Sequence, residues 1–145
     1  MSQTTETSSA PTATSFAAFK PKVTHVAYHV ADIDRALAFY VGLLGMKEVM
    51  RIPLGQGLAE VILGFPDSQA AGVILMWHTE KKEPRALGNG YSRFVLNVSD
   101  VDAACALLAQ HGAPVVTQPT RYGALKFAMV KDPDGYVIEL LQMVR

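Results

Sequence analysis

The chain has 145 residues, half of them apolar, with 13 basic and 13 acidic side chains and a pI near 6.9. That is chain enough for one globular domain, and a balanced charge gives no electrostatic ground for nucleic acid or an anionic membrane as partner. No apolar run reaches the roughly 18 residues that a spanning helix needs, and the lone Cys105 excludes an intrachain disulfide and a cysteine-built zinc site; these features predict a cytoplasmic protein with a small-molecule ligand.

Residues 1–20 are rich in Ser, Thr, Ala and Pro and predict a disordered N-terminal tail, with the folded domain over residues 21–145. Residues 23–30 are β-rich and alternate, placing Val26, Tyr28 and Val30 on one face and His25, Ala27 and His29 on the other. Asp32 stands where a helix N-cap belongs, Ile33, Ala36, Leu37, Tyr40 and Leu44 follow at helical spacing, and Gly45 is the expected stop. Short strands are predicted over residues 47–52, 59–64 and 72–78, and the charged, Gly- and Pro-punctuated residues 80–89 read as a linker.

The order then repeats: a strand over 91–98, a helix over 100–111 closed by Gly112, and strands near 115, 125–131 and 136–143. The letters repeat too. Val30-Ala31-Asp32-Ile33-Asp34 matches Val98-Ser99-Asp100-Val101-Asp102 at an offset of 68, and Val73-Ile74-Leu75-Met76 matches Val137-Ile138-Glu139-Leu140 at an offset of 64. The reading is an α+β chain of two βαβββ modules, about 22–79 and 90–145. Equivalent positions of two such modules surround a pseudo-two-fold axis, so His25, Leu75, Arg93 and Glu139 are predicted to line one cavity, within a chain or across a dimer. Glu139 sits in an apolar strand, where an ionised carboxylate must be paired, hydrogen-bonded or bound to a metal.

His25, the run from Asp32 to Tyr40 leading into Leu43-Leu44-Gly45-Met46, and the ending Asp132-Pro133-Asp134-Gly135-Tyr136-Val137-Ile138-Glu139-Leu140 resemble the vicinal oxygen chelate superfamily, and within it the glyoxalase I group. The resemblance implies a glyoxalase/bleomycin resistance/dioxygenase-type fold with an open cavity, usually closed by homodimer formation. It also implies a lyase or isomerase that stabilises an enediolate of a substrate with adjacent oxygens on a divalent metal, here zinc, nickel, iron or manganese. The group's four ligand positions fall on the first and last strands of both halves, at His25, Leu75, Arg93 and Glu139. Two match. Leucine cannot ligate, and a guanidinium repels a metal.

Two readings of Glu139 therefore stand: it pairs with Arg93, or it binds a metal together with His25. Arg93 is either a structural partner or an anchor for an anionic ligand group. His29 occupies the position of an arginine that holds glutathione in the group, which weakens the case for that cosubstrate. Trp77 is expected to wall the cavity beside Leu75, and Arg121 stands where a basic residue touches the cosubstrate. Three functions follow: a metal-dependent lyase or isomerase in which His25 and Glu139, with His29 as a third candidate and water, hold the metal; a metal-free enzyme or binding protein in which Arg93 replaces the metal; and an extradiol dioxygenase, disfavoured because Arg93 replaces its second histidine.

Overall fold

The computed structural model describes residues 15–69 and 72–145. Residues 1–14 of the expected tail lie outside the described residues. Residues 15–20 depart from that expectation: Phe16–Phe19 forms a 3-10 turn capped by Ser15, whose Oγ accepts from the Ala17 N–H.

Each half builds one four-stranded mixed sheet. In the first, β1 (His25–His29), β2 (Lys47–Gly55), β3 (Leu58–Gly64) and β4 (Gly72–His78) lie in the order β1-β4-β3-β2; β5 (Phe94–Asn97), β6 (Val115–Tyr122), β7 (Leu125–Lys131) and β8 (Val137–Met143) repeat that order as β5-β8-β7-β6. β1 runs parallel to β4 and β5 parallel to β8, while the remaining pairs are antiparallel. This is the predicted pair of βαβββ modules. Residues 80–87 carry no regular structure. β5 starts later than predicted because the Tyr91 side chain takes over its first rungs, its hydroxyl donating to the Val137 carbonyl and accepting from the Phe94 N–H. No described helix is long and apolar enough to cross a membrane.

The helices begin where their caps dictate. Asp32 Oδ1 accepts from the Asp34 and Arg35 N–H groups to start α1 (Ile33–Leu37), and Asp100 Oδ1 accepts from Ala103 to start α2 (Val101–Gln110). Gly45 and Gly112 follow with φ of 81° and 90°, the left-handed conformation that stops a helix cheaply only at glycine. The first helix is not regular throughout: Ala38–Leu43 is a π-helical turn, with the Leu44 N–H bonded to the Phe39 carbonyl. The wider turn lets the adjacent side chains of Phe39 and Tyr40 both enter the core, which 3.6-residue spacing resists.

The core lies between the helices and one face of each sheet, and it continues across the junction of the modules. The Tyr28 ring centroid is 4.8 Å from that of Tyr136 and 6.2 Å from that of Phe94. The Tyr136 hydroxyl donates to the His29 carbonyl at 2.7 Å, and the Ala31 N–H donates to Asp134 Oδ1 at 2.8 Å. Buried Asp132 ties the turn to the first module. Its Oδ2 accepts from the Tyr40 hydroxyl at 2.6 Å, and its Oδ1 accepts from the N–H groups of Asp134 and Tyr136. Burial raises the Asp132 carboxyl above its ordinary value, and these donors oppose the shift. The Asp-Pro-Asp-Gly turn is thus the clasp between modules, which explains its two carboxylates without catalysis.

Candidate functional site

Pairing decides which side chains share a face, because partners in a ladder point the same way and a shift of one residue reverses every side chain. In the second module, Ile138 and Leu140 pair with Phe94 and Leu96 and face the core. Glu139 therefore points to the opposite, open face, between Val95 on β5 and Met129 on β7. In the first module, His25, Ala27 and His29 pair with Gly72, Ile74 and Met76, and Ile62 and Glu60 continue the same open face on β3.

Leu75 does not belong to that face. It pairs with Tyr28 and Val61 and is fully buried in the core. This corrects the expected cavity: Val73 and Leu75 are the structural counterparts of Ile138 and Leu140, so the counterpart of Glu139 is Ile74. The letters align at an offset of 64 and the ladders at 65. Trp77 shares Leu75's parity and is buried as well, with the Arg51 guanidinium 5.4 Å from its ring centroid; it is a core side chain, not a wall of the open face.

Arg93 and Glu139 do meet. Immediately before β5, Arg93 directs its Nε–H onto Glu139 Oε2, and its Nη1 donates to Ser92 Oγ at 3.1 Å. The Arg93 side chain remains 40% exposed, whereas that of Glu139 is only 11% exposed. The contact is single-pronged. Arg93 Nη2 and Glu139 Oε1 have no hydrogen-bond partner among the described residues, and they belong to the two groups already held together.

The other expected site residues stand apart from this pair. His25 is exposed and makes no hydrogen bond or ion pair among the described residues. His29, two positions along the same face, has a buried Nδ1 without a partner among them. Arg121 is the penultimate residue of β6, donating from Nε to the Gly123 carbonyl at 3.1 Å. Ile74 and Ser92 were missed in the sequence. Ile74 was legible only through the burial of Val73 and Leu75, and Ser92 only through its neighbour.

A metal centre of the kind the resemblance implies needs three or more protein donors. Of the four equivalent positions, His25 and Glu139 carry donors; Ile74 has none and Arg93 brings a fixed cation onto the carboxylate itself. Among the described residues no group of three His, Cys, Asp or Glu side chains is placed to hold an ion. The residues present do not fit a resident metal. A cavity of about 640 Å³ between Leu43, Leu44 and Phe65 on one side and Leu96, Leu107 and Leu108 on the other is lined without a titratable group, so the chemistry is assigned to the open face.

The comparisons agree with this architecture. The model of the Glyoxalase/Bleomycin resistance protein/Dioxygenase superfamily matches residues 22–140. The chain is 33% identical over 124 residues to the lactoylglutathione lyase of Salmonella typhimurium, covering 83% of this chain and 92% of the relative. It superposes on the trypanothione-dependent glyoxalase I of Leishmania major with a TM-score of 0.72 at 28% identity, covering 84% of this chain and 86% of that one. It also superposes on TnmS3, an antibiotic-binding protein from Streptomyces, with a TM-score of 0.64 at 28% identity, covering 85% and 96%.

Proposed function

The chain belongs to the Glyoxalase/Bleomycin resistance protein/Dioxygenase superfamily, and we propose that within it this protein is a glyoxalase-type lyase or isomerase acting on a small molecule with adjacent oxygens. The observation that carries the proposal is Glu139: a carboxylate on a sheet face, screened from water yet not consumed by the core, with one oxygen unengaged. Such a group suits removal of a proton from carbon beside a carbonyl, and the Arg93 guanidinium beside it suits the oxyanion that results. His25 and His29 lie on the open face of the other module, where they serve substrate contact or proton return.

We further propose that a homodimer assembles the working site. Both open faces expose apolar side chains, among them Met50, Val95, Leu125 and Met143, and the contact between modules within the chain uses the opposite faces. A second copy would cover them by placing one chain's first module against its partner's second. A monomeric mass at micromolar concentration refutes this. Cytoplasmic location is part of the same proposal and rests on composition alone.

The test of function is turnover of the hemithioacetal of methylglyoxal, run with glutathione, with trypanothione and with a simple thiol. Each is measured with a chelator and with added zinc, nickel, iron or manganese. Turnover lost in Glu139→Gln supports the proposal. Absence of turnover with every thiol and metal rejects it and favours the second reading, a ligand-binding protein, which the likeness to TnmS3 supports.

A further inference from the structure

We propose that Arg93 Nη2 and Glu139 Oε1 form a two-point, metal-independent site for an uncharged hydroxycarbonyl group. The inference rests on the lyase or isomerase reading above and specifies how that site holds its ligand. Three observations carry it.

The first is the single-pronged contact. Because Glu139 engages only the Nε–H, the pair leaves one strong donor, Nη2, and one strong acceptor, Oε1, unused. A carbonyl oxygen accepts from the first while a hydroxyl, or an acidified C–H on the adjacent carbon, faces the second. The second observation is charge. Guanidinium and carboxylate cancel, so a ligand placed against both gains nothing from a formal negative charge and meets repulsion at Oε1 if it carries one. That argues for a neutral reacting end and corrects the simpler expectation that Arg93 anchors an anion. The third is fixation: Ser92 Oγ and Glu139 hold the guanidinium from two sides, so donor and acceptor are oriented before the ligand arrives.

The proton step balances without a co-reactant. The C–H bond breaks, its proton passes to the Glu139 carboxylate, and the electron pair moves into the carbonyl to leave an enediolate oxygen against Arg93. Return of the proton to the same carbon regenerates the ligand and the carboxylate; return to the neighbouring carbon completes an isomerisation when the hydroxyl proton also passes across to the former carbonyl oxygen. The guanidinium supplies the fixed positive charge that the missing donor positions, Ile74 and Arg93, deny to an ion.

The experiment uses hydroxyacetone as probe, with acetone and glycolate as controls, on the full chain in the presence of a chelator. Calorimetry reads binding, and proton NMR in deuterium oxide reads exchange at the hydroxyl-bearing carbon. Expected are chelator-resistant binding of hydroxyacetone, at least tenfold tighter than acetone and no weaker than glycolate, and exchange at that carbon. Arg93→Gln is expected to weaken binding at least tenfold, Arg93→Lys to fall between, and Glu139→Gln to abolish exchange and to weaken binding as well, since both points hold the ligand. Loss of binding or exchange on chelation, or glycolate binding tenfold tighter than hydroxyacetone, overturns the proposal using wild-type protein alone. The two readings fail separately. Hemithioacetal turnover that needs added metal leaves the lyase standing and removes the metal-independent site; chelator-resistant exchange without hemithioacetal turnover does the reverse.

Discussion

Replacing Leu75 or its neighbour Ile74 by glutamate tests the strand register on which the site depends. Leu75 is fully buried between Tyr28 and Val61, so removing it forfeits about 1.5–3 kcal/mol of apolar burial. The one cation on that face among the described residues is Arg51, two strands away on β2 and already bonded to Glu48, so a carboxylate in its place is buried unpaired or protonated at a further cost of several kcal/mol. Set against a typical total stability of about 5–15 kcal/mol, Leu75→Glu should leave the domain marginal or unfolded. Ile74 stands one residue away on the open face, half-buried beside Ala27 and Ile62, and Ile74→Glu should cost about 1 kcal/mol with the carboxylate turned to solvent. Urea unfolding followed by tryptophan fluorescence measures both, because Trp77 reports on the same core. Equal costs for the two variants, or a larger cost for Ile74→Glu, would mean that the β1–β4 ladder is shifted by one residue and that Leu75 belongs to the site after all.

The same register predicts that Arg93→His combined with Ile74→Glu completes four donors with His25 and Glu139 and creates stoichiometric zinc or nickel binding. Calorimetry should show micromolar or tighter affinity, where Arg93→His with Leu75→Glu shows none. Gly72→Ala should destabilise by about 1–3 kcal/mol, because a Cβ there would sit 2.2 Å from the Leu63 carbonyl oxygen, a backbone atom of the adjoining strand; an unchanged melting temperature would refute the close approach. Tyr40→Phe should cost about 1.5–3 kcal/mol by removing the hydrogen bond to the buried Asp132 carboxylate. Because burial raises the folded carboxyl of Asp132, the folded state holds that proton more tightly than the unfolded state. Its contribution is therefore fully present below the ordinary value of 3.8 and is lost as pH rises through the raised folded value. Subtracting the stability of Asp132→Asn from that of the wild type across this range should isolate a downward slope, and an upward slope would show that the three donors outweigh desolvation.

Local signals carried the fold. Asp32 and Asp100 capped the two helices, Gly45 and Gly112 ended them, and alternation marked the faces of β1. These depend on neighbours in sequence, and neighbours in sequence can be read. The π-helical turn was not legible, since Phe39 and Tyr40 enter the core together only because the sheet beneath leaves room for both. Register was not legible either. Matching Val73-Ile74-Leu75 to Val137-Ile138-Glu139 is the better fit of letters, but the ladder answers to which side chains fill the core, and Val73 and Leu75 fill it as Ile138 and Leu140 do. Contact between Arg93 and Glu139 survived this error because both lie in the second module, where the assigned register was right.

The distribution of the donors bears on the chemistry more than their number does. At the four positions that the resemblance implies as ligands, the first module carries His25 and Ile74 and the second carries Arg93 and Glu139. Each sheet thus offers one donor at its two positions. A first module placed against a second, in the same chain or across a dimer, brings together one histidine and one carboxylate. Two first modules bring two histidines, and two second modules bring two carboxylates, each with its own arginine. No pairing reaches three of the equivalent positions; His29, on the same open face as His25, is the further donor that a first module set against a second would add to His25 and Glu139. Arg93 differs from Ile74 in bringing a charge: a cation that needs no third ligand and that is held beside the carboxylate in a single chain. On the proposed dimer, assembly would serve only to cover the pair and to bring His25 and His29 to the substrate.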